Sequence, residues 1–400
     1  MTTTVIHTIK PAGGGHFSSL NAWEAGALVT GDPGFPGSIR RNLASLDQIE
    51  VAEVYSGNNS ITGSLVISTG WTTDTTHYVE IHAATGHEHT GVWSTSKAYA
   101  YAASGLIFSN NKDLRLGKMQ FKWDDDGAQF FLSQGTSAWA AHVDVDRCIF
   151  IQDNPSGNYS RGLTLGSEYW SGDCTIRNSI LLINHGKRLL TNTTPRQGNH
   201  RIYNCTFSVN PAVGSSWSTP YWPIGSTGCL VTEENNYYNV NSVSSWPRVY
   251  GYFGPSSQVV KGTHTATSNT EAVTANLRNI PYSTATFQNI TVDSENLRPV
   301  VSGSNKLLDN GANLTGSGVT TDIVGISRPQ FGAFDIGAFE NDIPICWNYT
   351  ARYKNSNKLF KASGCGSFPR SLRVPENVDI STGRMIDDGI LINPDEYEAI

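Results

Sequence analysis

Five stretches of this chain can be laid over one another: Leu116-Gly-Lys-Met-Gln-Phe121, Val145-Asp-Arg-Cys-Ile-Phe150, Ile176-Arg-Asn-Ser-Ile-Leu181, Ile202-Tyr-Asn-Cys-Thr-Phe207 and Glu233-Glu-Asn-Asn-Tyr-Tyr238. Their centres, Met119, Cys148, Ser179, Cys205 and Asn236, lie 29, 31, 26 and 31 residues apart. One column of the alignment reads Phe121, Phe150, Leu181, Phe207, Tyr238. Another reads Leu116, Val145, Ile176, Ile202 and breaks at Glu233. A period of this length with insertions between short β-like segments predicts a solenoid, in which each coil buries its apolar residues against the coils above and below. The column before the centres, Lys118, Arg147, Asn178, Asn204, Asn235, predicts a corner of each coil where the backbone turns left-handed, a conformation asparagine tolerates.

The composition agrees with an all-β chain. Charged residues make up 16% of the 400, against a typical ~25%, while Gly, Ser, Thr and Asn are abundant. A net charge of −6 with no basic stripe excludes nucleic acid as the expected partner. Met1–Lys10 has no signal-peptide pattern and no window is apolar enough to span a membrane, so synthesis in the cytoplasm without membrane insertion is expected. The six cysteines are too sparse for a disulfide scaffold. Cys148 and Cys205 share a column and read as buried thiols; a Cys346–Cys365 pair stays open.

Outward from the repeat, Ser19 can cap a short helix in which Leu20 and Trp23 share a face and Gly26 ends the helix. Such a helix suits a plug over the first coil, since a solenoid exposes an apolar cross-section at each end. The segments Ile49–Tyr55, Leu65–Ser68 and Tyr78–His82 read as the first coils, and 256–296 as a less regular continuation. The expected division is 1–48 opening segment and cap, 49–342 solenoid, and 343–400 a C-terminal assembly segment. That last part segregates charge: six basic residues from Arg352 to Arg373 precede seven acids from Glu376 to Glu398. Basic and acidic halves of different subunits could zip together, or the segment is a solvated hairpin.

The closing stretch reads Asn296-Leu-Arg-Pro299, Asp309-Asn-Gly311, Arg328-Pro329 and Asp335-Ile-Gly-Ala-Phe-Glu340. It resembles the segment that ends the solenoid in right-handed parallel β-helix proteins of bacteria and phages, and Phe17–Glu24 is similar to the opening of related phage and marine bacterial β-helix proteins. The resemblance implies a right-handed parallel β-helix with three sheets per coil, and no particular reaction.

Candidate chemistry is sparse. Asp144 and Asp146 face outward together, ~6.5 to 7 Å apart along a strand, at the lower end of the spacing for inverting glycosidases. Their columns, Arg115, Asp144, Thr175, Arg201, Thr232 and Gly117, Asp146, Arg177, Tyr203, Glu234, alternate in charge, which reads as a self-neutralising ladder instead. Asp124-Asp-Asp-Gly127 reads as a solvated turn in preference to a calcium loop. His82, His87, Glu88 and His89 lack a complete metal-ligand set. No nucleotide, phosphate-loop or nucleophile-elbow motif occurs, so neither cofactor nor metal is expected. Aromatic residues in the insertions, Trp139, Tyr169, Trp170, Trp217, Tyr221 and Trp222, are the candidate glycan or interface contacts.

With the resemblance, these readings lead to the expectation of a phage virion structural protein, a homotrimer bound to other virion proteins. It is expected to be tail-fibre or tailspike-like and to adhere to host surface polysaccharide. A capsid-decorating protein or head fibre, a polysaccharide depolymerase and a bacterial surface adhesin are the alternatives; the enzyme reading is less favoured, and the missing export signal argues against the adhesin.

Overall fold

The computed structural model describes residues 2–26, 42–61, 65–67, 71–102, 107–109, 112–123, 130–131, 142–153, 161–166, 172–185, 188–192, 198–209, 219–223, 227–240, 256–260, 262–270, 272–291, 294–330, 333–342, 346–353, 359–365, 378–387 and 390–392. Nine parallel strands form the long sheet, in the order Thr3–Ile9, Gln48–Val54, Val79–Ala83, Leu114–Gly117, Val143–Asp146, Cys174–Arg177, Gly198–Tyr203, Thr227–Glu234, Ser256–Val260. A second sheet stacks eight parallel strands from Gly57–Ile61 to Ala266–Thr267. A third holds Phe130–Phe131, Arg161–Gly166, Arg188–Asn192 and Thr219–Pro223. From Leu114 to Pro223 the chain visits the three sheets in turn, coil after coil, and in the two coils before that Leu65–Ile67 and Ile107–Ser109 pair in parallel after the second-sheet strand. This is a right-handed parallel β-helix, the hand that crossover connections between parallel strands take.

The register read from the sequence is the register of the strands. Phe121, Phe150, Leu181, Phe207 and Tyr238 are successive partners in the second sheet. Leu116, Val145, Ile176, Ile202 and Glu233 are successive partners in the long sheet. The rings of Phe121 and Phe150 stack with centroids 5.2 Å apart, and those of Phe207 and Tyr238 at 4.6 Å. All five corner residues, Lys118, Arg147, Asn178, Asn204 and Asn235, have φ between 50° and 57°. The next column ties coils together: Ser179 Oγ accepts from Cys148 N at 3.1 Å, and Asn236 Oδ1 from Cys205 N at 2.9 Å. Cys148 and Cys205 are buried, and burial raises the pKa of both thiols.

The break at Glu233 has a cause inside the coil. Its buried carboxylate accepts the Tyr238 hydroxyl at 2.7 Å, so the two apolar columns turn polar together. Tyr238→Phe is expected to cost about 1–3 kcal/mol by removing a donor from a buried carboxylate. Adding Glu233→Leu is expected to recover most of that loss in urea unfolding.

The stack starts earlier than expected. Thr3–Ile9 pairs in parallel with Gln48–Val54, because Val5, His7 and Ile9 alternate with outward residues as a strand requires. His7 is the signal against an apolar alternation; it is buried with Glu50, whose Oε1 also accepts Trp23 Nε1 at 3.1 Å. The capping helix Leu20–Ala25 is as expected: Ser19 accepts from Ala22 N, Gly26 is left-handed, and Leu20 and Trp23 are buried.

At the other end, Ser256–Val260 and Ala266–Thr267 are the last strands to join the coil sheets. Beyond them the chain lies against the outer face of the second sheet. There Ile149, Ile151, Ile180, Leu182 and Tyr237 form a second apolar core with Leu277, Phe287, Leu297, Leu307, Ile323, Ile336 and Phe339. The closing stretch is knotted around Arg328, whose guanidinium donates to Glu340 Oε2 at 3.0 Å and to the carbonyls of Asp335 and Gly337. Three carboxylates receive backbone N–H groups: Asp335 from Asp309 and Asn341, Glu340 from Asp335 and Gln330, and Asp322 from Val324, Ile326 and Glu340. Gly337 is required where it stands, with φ 98° and a would-be Cβ 2.7 Å from Thr206 Oγ1.

Burial raises the carboxyl pKa of Glu340 to about 7, against the pull of Arg328, and those of Asp335 and Asp309 to about 6. A folded-state pKa above the unfolded value means that the folded chain keeps a proton the unfolded chain has released. Stability from these groups is therefore full below the unfolded carboxylate range near pH 4 and is lost as pH rises through 6 to 7. Glu340→Gln, which cannot ionise, should gain on the wild type by on the order of 2 kcal/mol between pH 5 and pH 8 in paired unfolding curves.

Residues 346–392 contribute a separate four-stranded antiparallel sheet, in the order Leu359–Cys365, Cys346–Tyr353, Val378–Asp387, Ile390–Ile392. The basic and acidic parts of the tail are thus neighbouring strands of one chain, with Arg352 opposite Asp379. Cys346 and Cys365 are directly opposed in register; the disulfide question concerns side chains outside those described.

Candidate functional site

On the outer face of the long sheet, two columns run across the coils. One is Glu80, Arg115, Asp144, Thr175, Arg201; the other is His82, Gly117, Asp146, Arg177, Tyr203. Strand alternation that buries Val79, Ile81, Leu114, Leu116, Val143 and Val145 turns the polar partners outward. At Gly117 the second column has no side chain. The gap lies beneath a groove of about 310 Å³ lined by Glu80, His82, Arg115, Asp144, Asp146 and Arg177, with Lys118 and Arg147 at the corner.

The charges in the groove are paired. Arg177 pairs with Asp144: Nη2 donates to Oδ2 at 3.0 Å, and Nη1 lies 3.0 Å from Oδ1. Its Nε lies 3.5 Å from Asp146 Oδ1, which also accepts Asn178 Nδ2 at 2.9 Å, and Arg147 Nε lies 3.3 Å from Asp146 Oδ2. His82 Nδ1 is 2.7 Å from Glu80 Oε1, and Lys118 Nζ is 3.5 Å from Glu88. Arg115 differs: its guanidinium lies 3.5 Å above the Tyr78 ring.

The outward pair Asp144 and Asp146 is therefore where the sequence places it, within a neutralising network. Each carboxylate accepts one hydrogen bond, Asp144 from Arg177 and Asp146 from Asn178, and lies within ion-pair distance of a guanidinium. The histidine group does not converge. His87 Nδ1 accepts from Ser56 N at 3.1 Å and its ring meets that of Tyr55. His89 is buried, its pKa lowered to about 4 by burial; Nδ1 accepts from Gly91 N and Nε2 donates to Arg147 O at 2.9 Å. Among the described residues, no group of three or more His, Cys, Asp or Glu is arranged to hold a metal ion.

Of the aromatic candidates, Trp139, Tyr169, Trp170 and Trp217 lie outside the described residues, as does Asp124–Gly127. Tyr221 and Trp222 are on a strand of the third sheet, not in an insertion: Tyr221 pairs with Leu190 and Trp222 with Thr191. Arg115 stands in the outward column read from the sequence, while Glu80 was not singled out there. The signal was available in the register, which continues upstream past the five best coils; the longer coil between Val79–Ala83 and Leu114–Gly117, which carries Ala98–Ala102 and Ile107–Ser109, hides it.

No protein-family model matches the chain, and no curated protein matches it either. Among solved structures, the crystal structure of pectate lyase Pel9A is similar over 86% of this chain and 97% of that chain, with 12% sequence identity and a TM-score of 0.30. A likeness of that size bears on neither substrate nor chemistry. The chain stands, on its own sheets and register, as a parallel β-helix with a charged groove on its longest sheet.

Proposed function

We propose that this chain is a structural and adhesive protein of a phage virion, tail-fibre or tailspike-like, that holds host surface polysaccharide along the outer face of the long sheet. The virion assignment is supported by the resemblance of the closing stretch, and with it come assembly as a homotrimer and contact with other virion proteins. The observation that carries the binding role is the groove over Gly117: concave, polar, fixed on rigid strands, with both of its aspartates paired to arginines. Fixed donors and acceptors on such a surface can bind sugar hydroxyls.

A depolymerase is the second reading, favoured by His82, which Glu80 orients through Nδ1 beside the groove. The test is incubation of the protein with capsular polysaccharide and lipopolysaccharide of host cells, followed by co-sedimentation and sizing of the polymer. Retention with unchanged polymer length supports adhesion. New reducing or unsaturated ends, abolished by His82→Ala or Asp144→Asn, would replace it with the depolymerase. Absence of retention together with density over capsomer junctions in a particle reconstruction would replace it with capsid decoration.

A further inference from the structure

Arg115 is the groove cation that the protein's own acids do not take up. Its strand neighbours in register are both acidic, Glu80 on one side and Asp144 on the other. Glu80 is directed to His82, and Asp144 is ion-paired with Arg177, whose Nη2 donates to Oδ2. Lys118 and Arg147, the remaining cations, sit by Glu88 and Asp146. Among the described residues, no carboxylate lies within ion-pair distance of Arg115. Its guanidinium instead lies on the Tyr78 ring, 3.5 Å from the centroid.

The ring holds the guanidinium by a cation–π contact and leaves N–H groups for a carboxylate, which a guanidinium meets with two parallel hydrogen bonds. The aromatic platform also limits the rotamer entropy that Arg would otherwise lose on binding. Beside Arg115 the missing side chain at Gly117 leaves room for a ring, and a Cβ there would come no closer than 3.4 Å to His82.

We propose that the groove seats an acidic saccharide, with the carboxylate of a hexuronate residue on the guanidinium of Arg115 and its ring over Gly117. This rests on the reading that the groove holds a saccharide and adds its chemical class.

The experiment is titration calorimetry of the full chain with tetragalacturonic acid, its methyl ester and maltotetraose, at 20 and 300 mM salt. The expected result is binding of the acid alone, weakened at the higher salt because the pair is partly solvent-exposed. Arg115→Gln is expected to weaken it at least tenfold and Arg115→Lys less, while circular dichroism and melting stay unchanged. Equal binding of the ester, or retention within twofold by a folded Arg115→Gln, would overturn the proposal. If Arg115→Gln does not fold, the wild-type comparison of acid with ester decides. Binding of maltotetraose without the acid would sink the uronate assignment and leave the adhesive reading standing; failure of every saccharide, host polysaccharide included, would sink both.

Discussion

Replacing Arg328 with alanine is expected to lower the unfolding free energy by about 3–5 kcal/mol, the cost of removing one partner from a buried ion pair. Arg328 and Glu340 are both essentially inaccessible, at 0% and 1% of their side-chain surface. Without the guanidinium, Glu340 loses its counter-charge, the carbonyls of Asp335 and Gly337 lose their donor, and Asp322 and Asp335 remain buried nearby. The damage should be local first. Leu307, Ile323, Ile336 and Phe339 share an apolar core with Ile149, Ile151, Ile180 and Leu182, so release of the segment exposes apolar surface. Urea midpoints report the loss, and cleavage by protease within 305–342 ahead of the coils reports its place. The deficit should be smaller at pH 5 than at pH 8, because protonation of Glu340 and Asp335 relieves the charge that Arg328 balances. A midpoint unchanged from wild type would show that the knot does not hold the segment.

Phe150→Ala is expected to cost about 3–5 kcal/mol, the range for emptying a buried aromatic site. Phe150 is 1% exposed, stacks on Phe121 and is the register partner of Leu181, so its cavity lies between two coils that cannot both collapse onto it. Phe150→Leu, which keeps most of the volume and matches Leu181 in the next coil, should cost less than half as much. Equal costs for the two, or a cost below 1 kcal/mol for alanine, would contradict the stacked stripe.

The sequence made the inside of the coil legible because a parallel stack repeats its side chains at one register. Phe121, Phe150, Leu181, Phe207 and Tyr238 could be aligned before any strand was placed, and the left-handed corner could be read from three asparagines. Lys118 and Arg147 occupy the same corner without the asparagine signal; there position, and not residue type, decides the conformation. The outer cover was harder to see. Ile149-Phe-Ile151 and Ile180-Leu-Leu182 are unbroken apolar runs, the pattern of strands buried on both faces, and they mark the second core. The covering chain itself carries no period. It is held by one arginine and three carboxylates whose partners are backbone groups, which leave no trace in side-chain spacing.

The site divides the same way. Asp144, Asp146 and Arg177 could be placed on one outward face from register alone, while the diagonal pairing of Arg177 with Asp144 depends on rotamers that no spacing rule gives. The emptiness at Gly117 was visible as a letter in a column. Its meaning required the neighbours: a gap between His82 and Asp146 becomes a groove only when the coils on both sides carry side chains.

That gap offers the most direct measurement of the account. Gly117 has no positive φ and its Cβ would meet His82 at an ordinary 3.4 Å, so Gly117→Trp can fill the groove from its floor without disturbing the strand. Co-sedimentation of wild type and Gly117→Trp with host surface polysaccharide should show retention of the first and loss of the second by at least tenfold, at matched melting temperature. Equal retention of the two would place the polysaccharide elsewhere on the molecule and contradict the account.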